Sequence, residues 1–156
     1  MVGDTRETIR EVAMELFATR GFDQTSLREI AERVGLTKAS LYYHFPSKQA
    51  LLTAIVAPVI DGWRTIADDI EDMPHSPANA RAVLSRSLEV LLRNRTVAGI
   101  FLHDPAGVVA AAGPMWHDLI GNSTRLTTWL AGPAPTMADR LRAIAAMEVL
   151  GAALSS

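Results

Sequence analysis

The chain has 156 residues, of which 49% are hydrophobic and 21% charged, and it contains no cysteine. This length fits one globular domain, or a small domain joined to a larger one. The absence of cysteine excludes disulfide scaffolds, cysteine-ligated metals and thiol catalysis, and it favours a reducing compartment. The start of the chain lacks the apolar core of a secretion signal, and the longest apolar stretches contain proline and are too short to span a membrane. We therefore expect a cytoplasmic protein without a membrane partner.

Apolar residues recur at helical spacing along nearly the whole chain, and strand-like runs are missing, which predicts an all-α fold. In the first third, one helix is expected from Asp4 to Gly21, a second from Ser26 to Gly35, and a third after Thr37. Further helices are predicted from residue 48 to a break at 73–77, and then over 77–95, 97–103, 114–131 and 137–154, with breaks at 104–107, 113–114 and 132–135.

The second and third helices are short, are joined by a turn at residues 35–37, and follow an amphipathic first helix. This is the outline of a helix-turn-helix, whose second helix enters the major groove of DNA. Leu41 is expected to face inward. The rest of the third helix then offers small, hydroxylic, aromatic and cationic groups that suit base edges and phosphates: Lys38, Ala39, Ser40, Tyr42, Tyr43 and His44.

Positive charge is concentrated around the same helix. No carboxylate stands between Glu32 and Asp61, although 17 of the 156 residues are acidic, and this window holds the only two lysines, Lys38 and Lys48. A surface that approaches phosphates should exclude acids. Both lysines stand at predicted helix N-termini, where a cation opposes the helix dipole at a cost of about 0.3–1 kcal/mol. With a phosphate bound there, the lysine would become favourable, because the helix dipole and the ammonium would both attract the same anion.

Residues 5–52 resemble the N-terminal DNA-binding domain of the TetR family of bacterial transcriptional regulators. The most specific parts are FATRGF at 17–22, IAERVG at 30–35, and LYYHFPSK at 41–48 followed by Leu51. The resemblance runs without gaps over three helices. It implies a mostly helical homodimer whose two recognition helices enter successive major grooves, with a variable C-terminal domain that binds a small molecule and dimerises.

The resemblance also assigns roles within this domain, taken as residues 1–48. Residues 37–43 would supply the base contacts. Tyr43 has the alternative of being core, and both interpretations stay open. Ala50 stands where the family often has an acidic residue that completes the Ser47 cap, so the start of the fourth helix is expected to be less rigid. Phosphate contacts are expected mainly from Thr25, Arg28, Tyr42, His44 and Lys48.

The remainder, residues 49–156, is expected to form the effector-binding and dimerisation domain. It is dense in apolar residues, most of which are ordinary core. Tryptophan and methionine are nevertheless over-supplied for a small helical core, which favours a cavity for an apolar effector. The candidate ligand-binding residues are Trp63, Ile66, Phe101, His103, Met115, Trp116 and Leu119.

Neither a metal site nor an active site is predicted. The pairs at 103–104 and 117–118 combine histidine with aspartate, but they fall in different elements and lack the i, i+4 spacing of helical metal ligands. Polar pocket lining or surface is the favoured interpretation of both. Nucleophile elbows, phosphate-binding glycine loops and paired catalytic carboxylates are missing from the sequence. We therefore expect no cofactor and no catalysis.

The last predicted helix, 137–154, is apolar nearly all round and needs cover on both sides. One side can rest on its own domain while the other meets a second copy of the chain. Family members usually continue with another long helix, whereas this sequence stops at Ser156, so either it is truncated or the interface is built with less. The residues expected at the dimer interface are Leu141, Ile144, Ala145, Glu148, Gly151 and Ala152.

Together these observations predict a DNA-binding transcriptional regulator, a repressor that a small apolar molecule releases from a palindromic operator. The expected partners are double-stranded operator DNA, the effector and a second copy of the chain. The alternative is a structural DNA-binding protein of the same fold that acts without an effector. An enzyme on a helical scaffold is disfavoured because catalytic spacing is missing.

Overall fold

A computed structural model describes residues 4–152, apart from the side chains of residues 98, 101–103, 105 and 151–152. The described residues form nine α-helices and no strand, which confirms the all-α prediction. In chain order the helices are α1 (Thr5–Arg20), α2 (Leu27–Val34), α3 (Lys38–His44), α4 (Lys48–Asp69), α5 (Pro77–Arg93), α6 (Arg95–His103), α7 (Pro105–Ala112), α8 (Pro114–Ala131) and α9 (Met137–Ala152).

Local hydrogen bonds fix the ends of the short helices as predicted. Ser26 Oγ accepts from the N–H of Glu29 at 3.2 Å, and the Glu29 carboxylate accepts from the N–H of Ser26 at 2.8 Å, which completes a capping box at the start of α2. Gly35 ends α2 at φ +79°, in the left-handed region. The Thr37 hydroxyl then accepts from the N–H of Ser40 and begins α3. These devices define the turn between the two helices.

One helix, α7, lies where the sequence pattern indicates a break. Asp104 is its N-cap and accepts from the N–H of Gly107 at 2.9 Å. Pro105 occupies the first turn, where the N–H that proline lacks has no helical partner to lose. The prediction of a break at 104–107 is therefore wrong, because an Asp-Pro pair begins a helix as readily as it interrupts one.

The helices group into two compact units. The first comprises the chain up to Ala57 together with Thr96–Gly113, and the second comprises Pro58–Arg95 and the chain from Pro114 onward. Helix α4 therefore belongs to both. The functional division at residue 48 stays a prediction.

Helix α4 contains Pro58 at the boundary between the units. Proline has no N–H to donate to the carbonyl four residues earlier, and that carbonyl, on Ala54, accepts from Arg10 Nη1 at 3.5 Å. Among residues 4–152, α4 alone is long and apolar enough to cross a membrane by length and composition. Core helices pass the same test, and α4 contributes buried side chains to both units.

Each unit has its own buried residues. In the second unit, side chains of α4, α5 and α8 form one cluster, made of Ile66, Ala67, Ile70, Val83 and Leu126, with Trp63, Met73, Val90, Trp129, Leu130 and Met147 packed against it. In the first unit, the largest fully buried side chains are Ile9, Phe17, Ile30, Leu41, Phe45, Leu51, Leu52, Ile55, Val56 and Ile100.

Candidate nucleic-acid interface

The outer face of α3 carries the side chains that suit DNA recognition. Tyr43 is 88% exposed and Tyr42 is 41% exposed. The Lys38 ammonium lies 5.6 Å from the centroid of the Tyr42 ring. The exposure of Tyr43 shows that its interpretation as core is wrong, and its DNA contact stays a prediction. The other residues predicted to contact bases occupy exposed or half-buried positions of the same turn and helix: Thr37, Ala39 and Ser40.

A surface groove of about 360 Å³ brings several predicted DNA contacts together beside the loop between α1 and α2 (residues 21–26, the α1–α2 loop). Arg28 is exposed and pairs with Glu32 at 2.8 Å, and this side-chain hydrogen bond raises the pKa of the guanidinium. A phosphate in the groove would therefore compete with Glu32. The predicted residues that line the groove are Thr25, Arg28, Lys38, Tyr42 and Lys48.

Thr25 faces the interior, in contrast to its predicted role as a phosphate ligand. Its side chain is 1% exposed. Its hydroxyl donates to the carbonyl of Gly21 at 2.9 Å. A hydroxyl held in this way shapes the turn after α1 and does not reach a phosphate outside, so the structure assigns Thr25 an internal contact.

Lys48, the first residue of α4, holds the α1–α2 loop. Its ammonium donates to the carbonyls of Phe22 at 2.7 Å and Thr25 at 3.0 Å, and the carbonyl of Asp23 lies 3.4 Å away. The same ammonium lies 4.3 Å from the centroid of the Phe22 ring. These contacts explain why a lysine stands at a helix N-terminus, where the helix dipole alone disfavours it.

Two further residues hold the first unit together and were missed by sequence reasoning. Arg6 Nη1 donates to the carbonyl of His44, the last residue of α3, at 3.2 Å. Asp104 Oδ2 accepts from the N–H of Asp23 at 3.1 Å. Their partners lie 38 and 81 residues away along the chain. No local pattern signals contacts of that range. His44 itself is half-buried, with its ring edge-on to that of Tyr43.

The second unit contains a cavity of about 680 Å³, bounded by the ends of α4 and α8. This volume lies within the range of about 300–1,000 Å³ that small-molecule sites span. Arg125 and His75 are the basic groups of its lining. The Arg125 guanidinium pairs with Asp68 at 3.0 Å and with Glu71, and the hydrogen bond with Asp68 raises its pKa. Apolar lining comes from Ala67, Ile70, Met73, Trp129 and Pro133.

The predicted ligand-binding residues do not converge on this cavity. Trp63 and Ile66 share a core cluster with Ala67 and Ile70, which do line it. On α8, Met115 is buried, whereas the side chains at 116 and 119 are half-buried. Among the predicted residues whose side chains the structure describes, none lines the cavity; these are Trp63, Ile66, Met115, Trp116 and Leu119. The side chains of Phe101 and His103 lie outside the described part of the chain.

Helix α9 is covered on one side only within residues 4–152. Ala143 is buried and Met147 packs against the core cluster. On the other side, Leu141 is 59% exposed, Ile144 is 48% exposed and Val149 is 65% exposed. One side of α9 therefore rests on its own unit, and the dimer interface on the other side stays a prediction. Of the remaining residues predicted at a dimer interface, Ala145 and Glu148 are exposed, and the side chains of Gly151 and Ala152 lie outside the described residues.

A helix-turn-helix with an outward recognition helix is the arrangement with which many DNA-binding proteins enter the major groove. Residues 9–55 match the family model described as bacterial regulatory proteins, tetR family. The family relation is thus shown for the DNA-binding domain, residues 9–55. The relatives that the chain matches are named as transcriptional regulators and not as enzymes.

Individual relatives support the same assignment. The chain is 39% identical over 62 residues to the HTH-type transcriptional regulator RutR of Escherichia coli strain K12, an alignment that covers 40% of this chain and 29% of that protein. It is 29% identical over 109 residues to the HTH-type transcriptional repressor KstR2 of Rhodococcus jostii, over 67% of this chain and 52% of that protein. The chain thus spans about half, or less, of the length of these two relatives. The crystal structure of AmtR from Mycobacterium smegmatis superposes with a TM-score of 0.79 at 27% identity, covering 100% of this chain and 79% of that one.

Proposed function

We propose that this protein is a ligand-responsive transcriptional repressor that binds a palindromic operator as a homodimer in the bacterial cytoplasm. The observation that carries the proposal is the outward face of α3, where Tyr43, Tyr42 and Lys38 stand exposed. This face lies in a stretch of sequence without a carboxylate. Aromatic and hydroxyl groups suit base edges, and an ammonium suits the phosphates on either side.

Within this surface we assign phosphate contacts to Lys38, Arg28 and His44, and base contacts to the other residues of 37–43 that are not in the core: Thr37, Ala39, Ser40, Tyr42 and Tyr43. Arg28 exchanges its partner Glu32 for a phosphate when DNA binds. The exchange costs little, because both side chains of this ion pair are solvent-exposed and such pairs contribute little to stability. Lys48 contributes to DNA binding mainly indirectly, because its ammonium holds the carbonyls of the α1–α2 loop.

The homodimer is supported by the exposed apolar face of α9. Leu141, Ile144 and Val149 are large apolar side chains left exposed on this helix, and exposed apolar surface is what a protein interface covers. A two-fold dimer presents two recognition helices, and a palindromic operator matches that symmetry when its half-sites lie about 34–36 Å apart.

The effector is assigned to the cavity of the second unit, whose apolar walls suit a mostly apolar molecule and whose basic groups suit one polar substituent. Helix α4 lines this cavity with Ala67, the adjacent Ile70 also lines it, and α4 begins at Lys48, which holds the α1–α2 loop. A ligand that shifts α4 therefore acts on the DNA-reading unit. Coupling between two such sites is commonly about 1–3 kcal/mol.

The experiment that tests the DNA-binding proposal selects bound sequences from random duplex DNA with the whole chain. The dissociation constant is then measured for Tyr43→Ala and Lys38→Met on the selected operator. Tyr43→Ala should weaken binding about tenfold or more, and Lys38→Met should lower the slope of log affinity against log salt by about 1. Arg81→Met removes a positive charge from an exposed position of α5 and serves as the control. Wild-type protein that ignores duplex DNA at low ionic strength, or variants that bind like wild type, would contradict the proposal.

Release of the operator by a small molecule distinguishes the proposed repressor from a DNA-binding protein that acts without an effector. Small apolar compounds are screened for saturable release of the bound operator, with Trp129 fluorescence as the direct readout, since this residue lines the cavity. Thr128→Trp places a large side chain in the lining of the cavity and should abolish release while operator binding is kept. Release that persists in this variant would place the effector elsewhere, and failure of every compound would favour the effector-independent alternative.

A further inference from the structure

The α1–α2 loop is held from two sides, and Asp23 is the point where both sides meet. Its carbonyl lies 3.4 Å from the Lys48 ammonium. Its N–H donates to Asp104 Oδ2 at 3.1 Å. The other oxygen of this carboxylate, Oδ1, accepts from the N–H of Gly107 at 2.9 Å. One side chain therefore connects the loop that precedes α2 to the first turn of α7.

The carboxylate of Asp104 is closely fitted to its place. A Cβ at position 107 would collide with both of its oxygens, so a side chain there would displace the carboxylate. The Asp104 backbone is fixed as well, because its N–H donates to the carbonyl of Ile100 at 3.1 Å and its carbonyl accepts from Val108 at 3.0 Å. A movement of the start of α7 would therefore carry this carboxylate away from the Asp23 N–H.

The loop matters for DNA binding because it sets where α2 begins. Its last residue, Ser26, is the N-cap of α2, and α2 contacts α3. A recognition surface has to be held to within about 0.5 Å by its supporting residues to keep its specificity. A displaced loop therefore displaces the helix that reads DNA.

We propose that Asp104 is a positioning residue for the recognition helix, and that its bond to the Asp23 N–H is the contact through which Thr96–Gly113 controls operator affinity. The inference rests on the proposed function, because it names the regulation of the same DNA-reading surface. With the bond made, the loop and α3 are aligned for the operator. With α7 displaced, the bond is broken and specific affinity falls.

A serine at position 104 keeps the cap of α7 and removes the bond to Asp23. Serine caps helices as well as aspartate does, so Asp104→Ser keeps the bond to the N–H of Gly107. Its single oxygen is occupied by that cap and leaves the Asp23 N–H to water. The variant also removes a negative charge, which on electrostatic grounds strengthens DNA binding. Weaker binding by Asp104→Ser therefore cannot result from the change in charge. Asp118→Ser, at an exposed position of α8, is the control for charge.

The test uses the whole chain, the operator selected from random DNA, and an unrelated duplex of equal length at one salt concentration. Asp104→Ser should weaken operator binding about tenfold and leave binding to the unrelated duplex within about twofold. Hydrogen exchange at the Asp23 amide should become faster, whereas Asp118→Ser should match wild type in all three measurements. If the serine variant is unfolded, Asp104→Asn tests the same bond with an isosteric side chain.

Equal operator affinity of Asp104→Ser and wild type would overturn the role of Asp104 and leave the proposed function standing. An equal loss on both duplexes would overturn it too, since a merely structural role predicts that result. Wild-type protein that binds neither duplex would overturn the proposed function itself, so the two failures are distinguishable.

Discussion

The internal contacts of Lys48 predict that its replacement destabilises the protein as well as affecting DNA. Lys48→Met keeps an unbranched side chain of similar length and removes the ammonium. The carbonyls of Phe22 and Thr25 then lose their shared donor, and the Phe22 ring loses its cation. We expect a lower free energy of unfolding, which a residue that only touched phosphates would not produce.

The size of the effect follows from opposing terms. A hydrogen bond from a charged donor contributes about 1.5–3 kcal/mol, and a cation–π contact about 0.5–2 kcal/mol. These contributions do not add fully, because the bonds share one ammonium and the Lys48 side chain is half-buried, so that water replaces part of them. Removing a cation from a helix N-terminus stabilises the helix by about 0.3–1 kcal/mol, which offsets part of the loss. The expected net loss is about 2 kcal/mol, or roughly 1 M in the urea midpoint for a slope of about 2 kcal/mol/M.

Urea unfolding followed by circular dichroism measures this loss, with Lys38→Met as the matched control. Lys38 is exposed and lies near the Tyr42 ring, so its variant should stay within about 0.5 kcal/mol of wild type. The reasoning is refuted if Lys48→Met and Lys38→Met unfold at the same urea concentration as wild type.

Three further changes test the helix-turn-helix itself. Leu41→Ala empties a fully buried site in α3 and should lower the free energy of unfolding by about 2–5 kcal/mol in urea; a loss below about 1 kcal/mol would contradict its place in the core. Gly35→Ala forces alanine to φ +79° and should cost about 1–2 kcal/mol in the same assay although no atom crowds the site, whereas no cost would argue against the left-handed turn. Glu29→Gln should destabilise at neutral pH, because hydrogen bonds from the Ser26 N–H and hydroxyl lower the pKa of Glu29. Since its folded pKa lies below its unfolded value, this carboxylate stabilises the fold above the ordinary pKa of about 4.3 and loses that effect as the pH falls through the folded value. The gap between wild type and Glu29→Gln should therefore close in acid, and a gap that persists there would contradict the assignment.

The parts of the fold that were predictable from sequence are those that short-range chemistry determines. The Ser26–Glu29 box, the Thr37 cap and the Thr136–Asp139 box each involve residues three apart, and all are present. Their consequences, the two short helices and the turn between them, were predictable for the same reason. The outward face of α3 followed from the inward placement of Leu41.

The parts that escaped prediction depend on groups far apart in the chain. Lys48 stands where phosphate binding explains a cation, yet it also meets carbonyls more than 20 residues earlier. Thr25 looked like a surface hydroxyl and is buried in its turn. The Asp23–Asp104 bond spans 81 residues. Composition indicated an apolar cavity, but which helices meet around it depends on packing, so the predicted lining residues differ from those in the structure.

Thr96–Gly113 belongs to the first unit, which matters for chimeras that join the DNA-binding part of one regulator to the ligand-binding part of another. A chimera that joins the chain up to Ala57 to a foreign sensor omits Asp104, and the N–H of Asp23 is then left to solvent. The transplanted DNA-binding part would fold, but its specific affinity for the operator would be lower. A chimera that keeps the whole first unit needs three junctions, one inside α4 and one on each side of Thr96–Gly113, or a host that supplies an equivalent carboxylate at the same place.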